Sequence, residues 1–530
     1  MKKLVLCLLA IAACNVPSVH AQVQAPALVI SLASPNELLD DFRFLARSAG
    51  AEQVVGLVQL MSQQYLQVMD ATQPIGVVLD LSSGEPLGIG FLPINDYQRF
   101  TEIIGRTPET KPQPQGNGID KITLAQPAFL KPQGKFVFVA PKIEMLQNLP
   151  VDPTVWLQGL HRDYVLAVRC NVQNIPRELR QVAVTSMRES FERQMTQQGN
   201  QPGRDVGEKL GRHSISQLED FIENSQSLTV GWGVDQQAGT TFADLALTAM
   251  PGTKLSQKMG LLSQATTAFS GLEFANSAAR LMFAGVLSPE DIRHSTDVLD
   301  TLESSALRDL RKEDRPQLAE LERLVASLFK ILKDTVATGR MDGGGVLLLQ
   351  DTDPKLRLAV GAAVADGREV DAAFQQLVKL AKQAPNFPEV DMDSGAYKNV
   401  RFHSLTFPSK DNEGRRVFGD TIKMAVGMGQ QHVYFAIGGD PVDTLKQVID
   451  KRARPAAANP MELTLALTPI IRFAKAVDDA PAADAILEAL AKAAGRDHFT
   501  ISSQVIQNGM RYRINIEDGI IRAVATASGL

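Results

Sequence analysis

LVISLASPNELLDDF (residues 28–42) is an apolar strand pattern that runs into Ser-Pro and continues as an amphipathic helix. Proline suits the first helical position, because the N–H it lacks has no intrahelical partner there. Ser34 just before Pro35 supplies a capping hydroxyl, and Glu37 completes a capping box. The same transition recurs three times: YVLAVRCNVQNIPRELRQV (164–182), LMFAGVLSPEDIRHS (281–295) and LTLALTPIIRFAKAV (463–477). Its prolines are Pro176, Pro289 and Pro469. Ser288 and Thr468 precede two of them as expected caps, whereas Ile175 breaks the pattern in the second copy, whose cap is expected to be weaker or shifted.

Each transition is followed by helical material, a hairpin and a further helix. Within QLAELERLVASLFKILKDTV (317–336), Leu318, Leu321, Leu324, Val325, Leu328, Ile331 and Leu332 form one apolar stripe. Turn residues mark the hairpin tips at Ser82-Ser83-Gly84, Gln237-Ala238-Gly239, Asp353-Pro354 and Asn508-Gly509. The pattern predicts an α+β fold of two homologous halves, each of antiparallel strands covered by helices and built from a repeated strand-(Ser/Thr)-Pro-helix-helix-hairpin-helix unit. The first half is expected over 22–262, with units 27–105 and 163–262 around an insert at 118–149. A linker is expected over 263–278. The second half follows over 279–530, with units 279–384 and 461–530 around an insert at 398–450.

The hairpin strands alternate bulky with small residues rather than apolar with polar ones. Leu228, Val230, Trp232 and Val234 alternate with Thr229, Gly231 and Gly233, and Leu358, Val360, Ala362 and Val364 with Arg357, Ala359, Gly361 and Ala363. A solvated sheet face carries polar side chains. The bulky face is therefore expected under the helices, and the small face against another layer or along a shallow apolar groove. The two-half layout, with DYVLAVRCNVQNIPRELR and TFADLALTAMPGTKLSQKM, resembles large secreted proteins of planctomycete-type bacteria with no known activity. The resemblance covers most of the chain after its first residues. It implies export and brings no site residues.

Length and composition set the frame. The 530 residues allow two or more domains, and 44% hydrophobic with 21% charged residues is ordinary for a globular chain. The net charge of −5 gives no sign of a nucleic-acid partner. Lys2 and Lys3, an apolar run from Leu4 to Ala13, and Val19-His20-Ala21 read as a signal peptide over 1–21, cleaved between Ala21 and Gln22. Cleavage takes the net charge from −5 to −7, since two lysines and no acid are lost. Ile11-Ala12-Ala13-Cys14 offers a lipid-anchored alternative through Cys14. Either reading places the protein in the periplasm or outside the cell, and no later apolar run is long enough to span a bilayer. Cys170 is then the lone cysteine, in a strand-like run that reads as buried.

Local catalytic and metal signatures are absent. His161, His213, His294, His403, His432 and His498 include no His-Glu-x-x-His, and no Gly-x-Ser-x-Gly elbow occurs. Asp391-Met392-Asp393-Ser394-Gly395 opens like a calcium loop, but Gly395 and Phe402 fall where ligands are needed, so a turn is expected. HVYFAIGGDPVDTLKQVI (432–449) has the outline of a phosphate loop. There Pro441 deletes an N–H, while Asp440 as N-cap and Asp443 behind it occupy the positive helix end. The counterpart FVFVAPKIEMLQNL (136–149) keeps strand, turn and Pro141 without the glycines, so the loop reads as architecture.

These readings predict no cofactor, metal or catalytic residue. They predict an exported, non-catalytic binding or structural protein of the cell envelope or exterior, its partner an envelope protein or an apolar ligand. The alternatives are a carrier of an apolar, lipid-like ligand and a hydrolase whose site is assembled from distant residues.

Overall fold

The computed structural model describes residues 26–529 apart from 82–85, 106–110, 124–125, 198–203, 313–316, 383–386, 453–455, 458 and 479. Ala21, Gln22, Cys14 and the tip Ser82-Ser83-Gly84 lie outside the described residues. The chain is a mixture of helices and antiparallel strands. Strand β1 (Leu28–Leu32) is followed by helices Pro35–Ser48 and Glu52–Leu66, the hairpin β2 (Ile75–Asp80) and β3 (Leu87–Pro93), and helix Tyr97–Ile104. After β4 (Gln113–Gly116), β5 (Ile119–Thr123), β6 (Pro127–Gln133) and β7 (Phe136–Ala140), the order restarts. It runs through β8 (Leu166–Asn171), helices Arg177–Gln197 and Arg204–Asn224, the hairpin β9 (Ser225–Asp235) and β10 (Thr240–Ala249), and helix Lys254–Leu262.

A two-residue strand, β11 (Thr266–Thr267), leads into the third round. This comprises β12 (Ser277–Val286), helices Pro289–Leu310 and Leu318–Ala337, the hairpin β13 (Arg340–Leu349) and β14 (Leu356–Ala363), and helix Gly367–Ala381. Then come β15 (Glu389–Tyr397), β16 (Val400–Pro408), β17 (Thr421–Met428), β18 (His432–Ile437), helix Pro441–Lys451 and β19 (Ala456–Ala457). The last round has β20 (Met461–Ala466), helices Leu467–Val477 and Ala483–Ala491, β21 (His498–Ile506), β22 (Gly509–Glu517) and helix Asp518–Ala527.

Contacts divide the chain into two compact units. The first takes residues up to Ser186, Asp220–Met250 and everything from Arg513; the second takes Met187–Glu219 and Pro251–Tyr512. In the first unit the strands pair, all antiparallel, in the order β10-β9-β8-β1-β2-β3-β7-β6-β5-β4. In the second the order is β21-β20-β12-β13-β14-β18-β17-β16-β15. The short pair β11–β19 stands apart in the second unit.

The helix starts show how local sequence builds these elements. Ser34 accepts from the Glu37 N–H while the Glu37 carboxylate accepts from the Ser34 N–H, with Pro35 next in line. Ser288 and Asp291 make the same reciprocal box before Pro289. Two starts differ from expectation. Pro176 lies one residue ahead of its helix, and its carbonyl accepts the Arg180 N–H. Thr468 and Pro469 sit inside the first turn of Leu467–Val477, whose N-cap is Ala466. The capping oxygen comes instead from Asp497, far along the chain, whose Oδ2 accepts the Thr468 N–H at 2.7 Å. A distant carboxylate makes the local hydroxyl redundant.

Two other expectations are corrected. The stretch 263–278 is no linker: Ala268, Phe269 and Leu272 are buried in the main core of the second unit, with Val346, Phe402, Tyr434 and Leu445. Asp391–Gly395 is no free turn, since it lies within β15, where the pairing register with β16 shifts between Asp391 and Gly395. A β-bulge takes up the extra residues.

The C-terminal segment is tied into the first unit by a buried ion pair. Asp244, on β10, is almost fully buried. Its two carboxylate oxygens accept from Arg513 Nε and Nη2 at 2.7 and 2.8 Å, and Tyr164 Oη donates to Oδ2 at 3.0 Å. The Arg513 guanidinium also lies 3.9 Å over the Phe242 ring. Removing one member leaves an uncompensated buried charge. Arg513→Met is expected to cost about 3 kcal/mol in urea unfolding. Adding Asp244→Asn should restore part of that loss, because the orphaned charge is then removed.

Candidate functional site

The small-residue faces of the sheets are covered by aromatic rings. In the second unit a Cβ on Gly344 would lie 2.7 Å from Phe269 Cβ, and one on Gly361 would lie 2.7 Å from Phe269 Cε1. In the first, a Cβ on Gly231 would meet the Tyr164 ring at 2.4 Å. Only glycine admits rings this close. Thr229, Gly231 and Gly233 are buried, whereas Val230 on the same strand is 52% exposed. The small face is thus packed in the interior, whereas the bulky face, expected under the helices, is the more open one.

In the second unit this open face forms a trough of about 490 Å³. Its walls come from β12, β13, β14, β17 and β18, with Val370 of helix Gly367–Ala381 at the side. Leu281 and Phe283 of β12 and Val360 of β14 remain 40%, 38% and 39% exposed. Val433 and Phe435 point into it from β18, while their neighbours Tyr434 and Ala436 face the buried core, as strand alternation requires. Among the described residues no charged side chain lines it.

The corresponding face of the first unit is filled. There Leu92, Val137 and Val139 of β3 and β7 pack with Ile122 and Leu130 beneath Phe100 of helix Tyr97–Ile104. All are almost fully buried. In helix Gly367–Ala381 of the second unit the fourth residue after the N-cap Asp366 is Val370, where Phe100 is fourth after Asp96; Phe374 stacks on His403 with ring centroids 5.3 Å apart. The expected stripe on helix Leu318–Ala337 is likewise divided. Leu324 and Ile331 pack with Ala373 and Leu380, whereas Leu328 and Leu332 stay exposed.

Of the polar candidates, His403 is satisfied within the fold, whereas His161 Nδ1 is buried without a hydrogen-bond partner among the described residues. His403 is fully buried, with Nδ1 accepting the Asp393 N–H at 3.1 Å and Nε2 2.8 Å from Asp371 Oδ1. A backbone N–H must donate to Nδ1, so the ring proton sits on Nε2 and is given to Asp371. Both nitrogens serve to clip β15 and β16 to the helix. Cys170 is half-buried on β8, and burial alone pushes its thiol up, opposite to what an activated nucleophile needs. His161 is held below its ordinary value by burial first and Arg162 second.

The glycine pair at 438–439 is a packing device. Both residues have positive φ, 86° and 63°. A Cβ on Gly438 would lie 2.0 Å from the Leu356 carbonyl oxygen, and one on Gly439 2.8 Å from Arg357 Cδ. The loop therefore lies directly against the start of β14. Asp440 is the N-cap, its Oδ1 accepting the Asp443 N–H at 3.0 Å, and Pro441 opens the helix. Asp440→Ala is expected to lower stability by about 1 kcal/mol in chemical denaturation.

His432 begins β18 between Phe269 and Tyr434, with ring centroids 6.0 and 6.5 Å away. Burial, and secondarily Arg452, hold its pKa down to about 4 from the ordinary 6.5. Above pH 6.5 the ring is neutral folded or unfolded, so it has no pH-dependent effect. As pH falls from 6.5 towards 4 the unfolded chain takes up the proton first, and folding loses stability. His432→Phe should remove that component, so the variant's Tm should fall less than the wild type's between pH 7 and pH 4.

Comparison with known protein families, curated proteins and solved structures finds no match. The geometry alone therefore selects the trough as the candidate site. It is a concave, apolar cavity of the size that small-molecule sites occupy.

Proposed function

We propose that this is an exported, non-catalytic binding protein of the cell envelope or exterior whose second unit holds an apolar, acyl-like small molecule in the sheet trough. The carrying observation is a concavity of about 490 Å³ without a charged side chain, on a face that the first unit fills with Phe100. Leaving Leu281, Phe283 and Val360 partly exposed forgoes roughly 1 kcal/mol of burial each, which an apolar occupant returns. The near absence of polar lining favours a hydrocarbon over a peptide, whose backbone N–H and C=O groups need partners. Export rests on the basic, apolar and small-residue succession of residues 1–21.

We also infer that the two halves arose by duplication. Nine strands pair in the same order in each unit, and the strand-helix-helix-hairpin-helix succession occurs four times. On this reading one copy kept its plug and the other opened into a binding face.

The test is binding of a fluorescent long-chain fatty acid to the purified protein, together with mass spectrometry of its organic extract. Saturable binding is expected, weakened at least tenfold by Val360→Asp and by Leu281→Asp. Leu60→Asp, on an exposed helix position of the first unit, should leave it unchanged. An empty extract with no saturable binding would refute the proposal, as would unaltered binding in both trough variants.

A further inference from the structure

We propose that a second cavity of the second unit, separate from the trough, binds a small anionic ligand between Arg357 and Arg472. The cavity encloses about 590 Å³ at the ends of β12, β13 and β14 and the junction of β20 with its helix. Arg357, Arg472, Gln350, Ser277 and His498 contribute polar groups to its wall.

Arg357 is the central observation. It is partly buried on β14, its aliphatic stem lying under Gly439. Among the described residues its one hydrogen bond runs from Nη2 to the neutral Gln350 Oε1 at 3.0 Å, and its Nε is buried without an acceptor. Among the described residues no carboxylate pairs with it. Arg280, comparably placed in the same unit, pairs with Glu462. A guanidinium drawn out of water without a counter-ion is costly, and proteins pair such groups or leave them for a ligand. Gln350 orients the fork and leaves Nη1 free.

Arg472 supplies an independent second charge. It stands on the helix Leu467–Val477, on the wall of the same cavity, with no ion pair or hydrogen bond among the described residues. The two acids on the wall do not neutralise these arginines. Asp497 is buried and committed to the Thr468 N–H, and Asp351 stands exposed at the hairpin end. Planar guanidinium groups fit carboxylate and phosphate oxygens in a bidentate manner. An anion of either kind would complete the pairing of Arg357 that the protein itself leaves open.

The probes are inorganic phosphate and succinate, added to the purified full-length chain and compared with sodium chloride at equal ionic strength. At least one should raise the Tm saturably beyond the chloride control, because a ligand that binds the folded state stabilises it. A response to phosphate alone identifies a phosphate-bearing ligand, and a response to succinate alone a carboxylate. Arg472→Gln, an exposed change with no packing cost, should abolish the rise, and Arg357→Gln should do the same where the variant folds. Arg323→Gln, on an exposed helix position, should retain it. The proposal fails if neither anion exceeds chloride, or if the rise persists in Arg472→Gln.

Discussion

An aromatic ring laid against a β-sheet occupies the space where Cβ atoms would stand, and this exclusion organises both units. Phe269 sits on Gly344 and Gly361, Tyr164 on Gly231, and Phe91 on Gly76, each closer than any Cβ allows. Close packing of this kind is what gives protein interiors their density. It also fixes orientation. Once the small faces receive the rings, strand alternation sends Leu358, Val360, Val433 and Phe435 to the opposite side.

What happens on that opposite side distinguishes the units. In the first, helix Tyr97–Ile104 lowers Phe100 onto Leu92, Val137 and Val139 and closes the face. In the second, helix Gly367–Ala381 presents Val370 at the edge and uses Phe374 against His403. The His403–Asp371 bond fastens that helix to β16. Where the first unit has Phe100, four residues after its capping aspartate, the second has the smaller Val370 at the trough wall.

The electrostatics sort by the same logic of satisfaction. Asp244 with Arg513 and Tyr164, and His403 with Asp371 and Asp393, are buried groups whose hydrogen-bonding capacity is used within the fold. Their energy goes into holding segments together, and the Asp244 group binds the C-terminal segment to a strand formed much earlier in the chain. Among the described residues Arg357 departs from this pattern, with a neutral amide as its one hydrogen-bond partner. Leaving a partly buried charge unpaired is costly, and the proposed anion would offset that cost.

Local chemistry was legible in the sequence wherever its partners were local. Ser34 with Glu37, Pro289 after Ser288, and Asp440 before Pro441 can be read because a cap reaches only two or three residues. The order of strands and helices was legible for the same reason, since period and turn residues are short-range signals. Asp497 capping the helix at Thr468, and Phe269 turning an expected linker into core, could not be read, because both partners come from far along the chain. The alternation of small and bulky residues showed that the two sheet faces differ. Which face lies inside was decided only when Phe269 and Tyr164 arrived, because burial depends on what packs against a strand as well as on the strand itself.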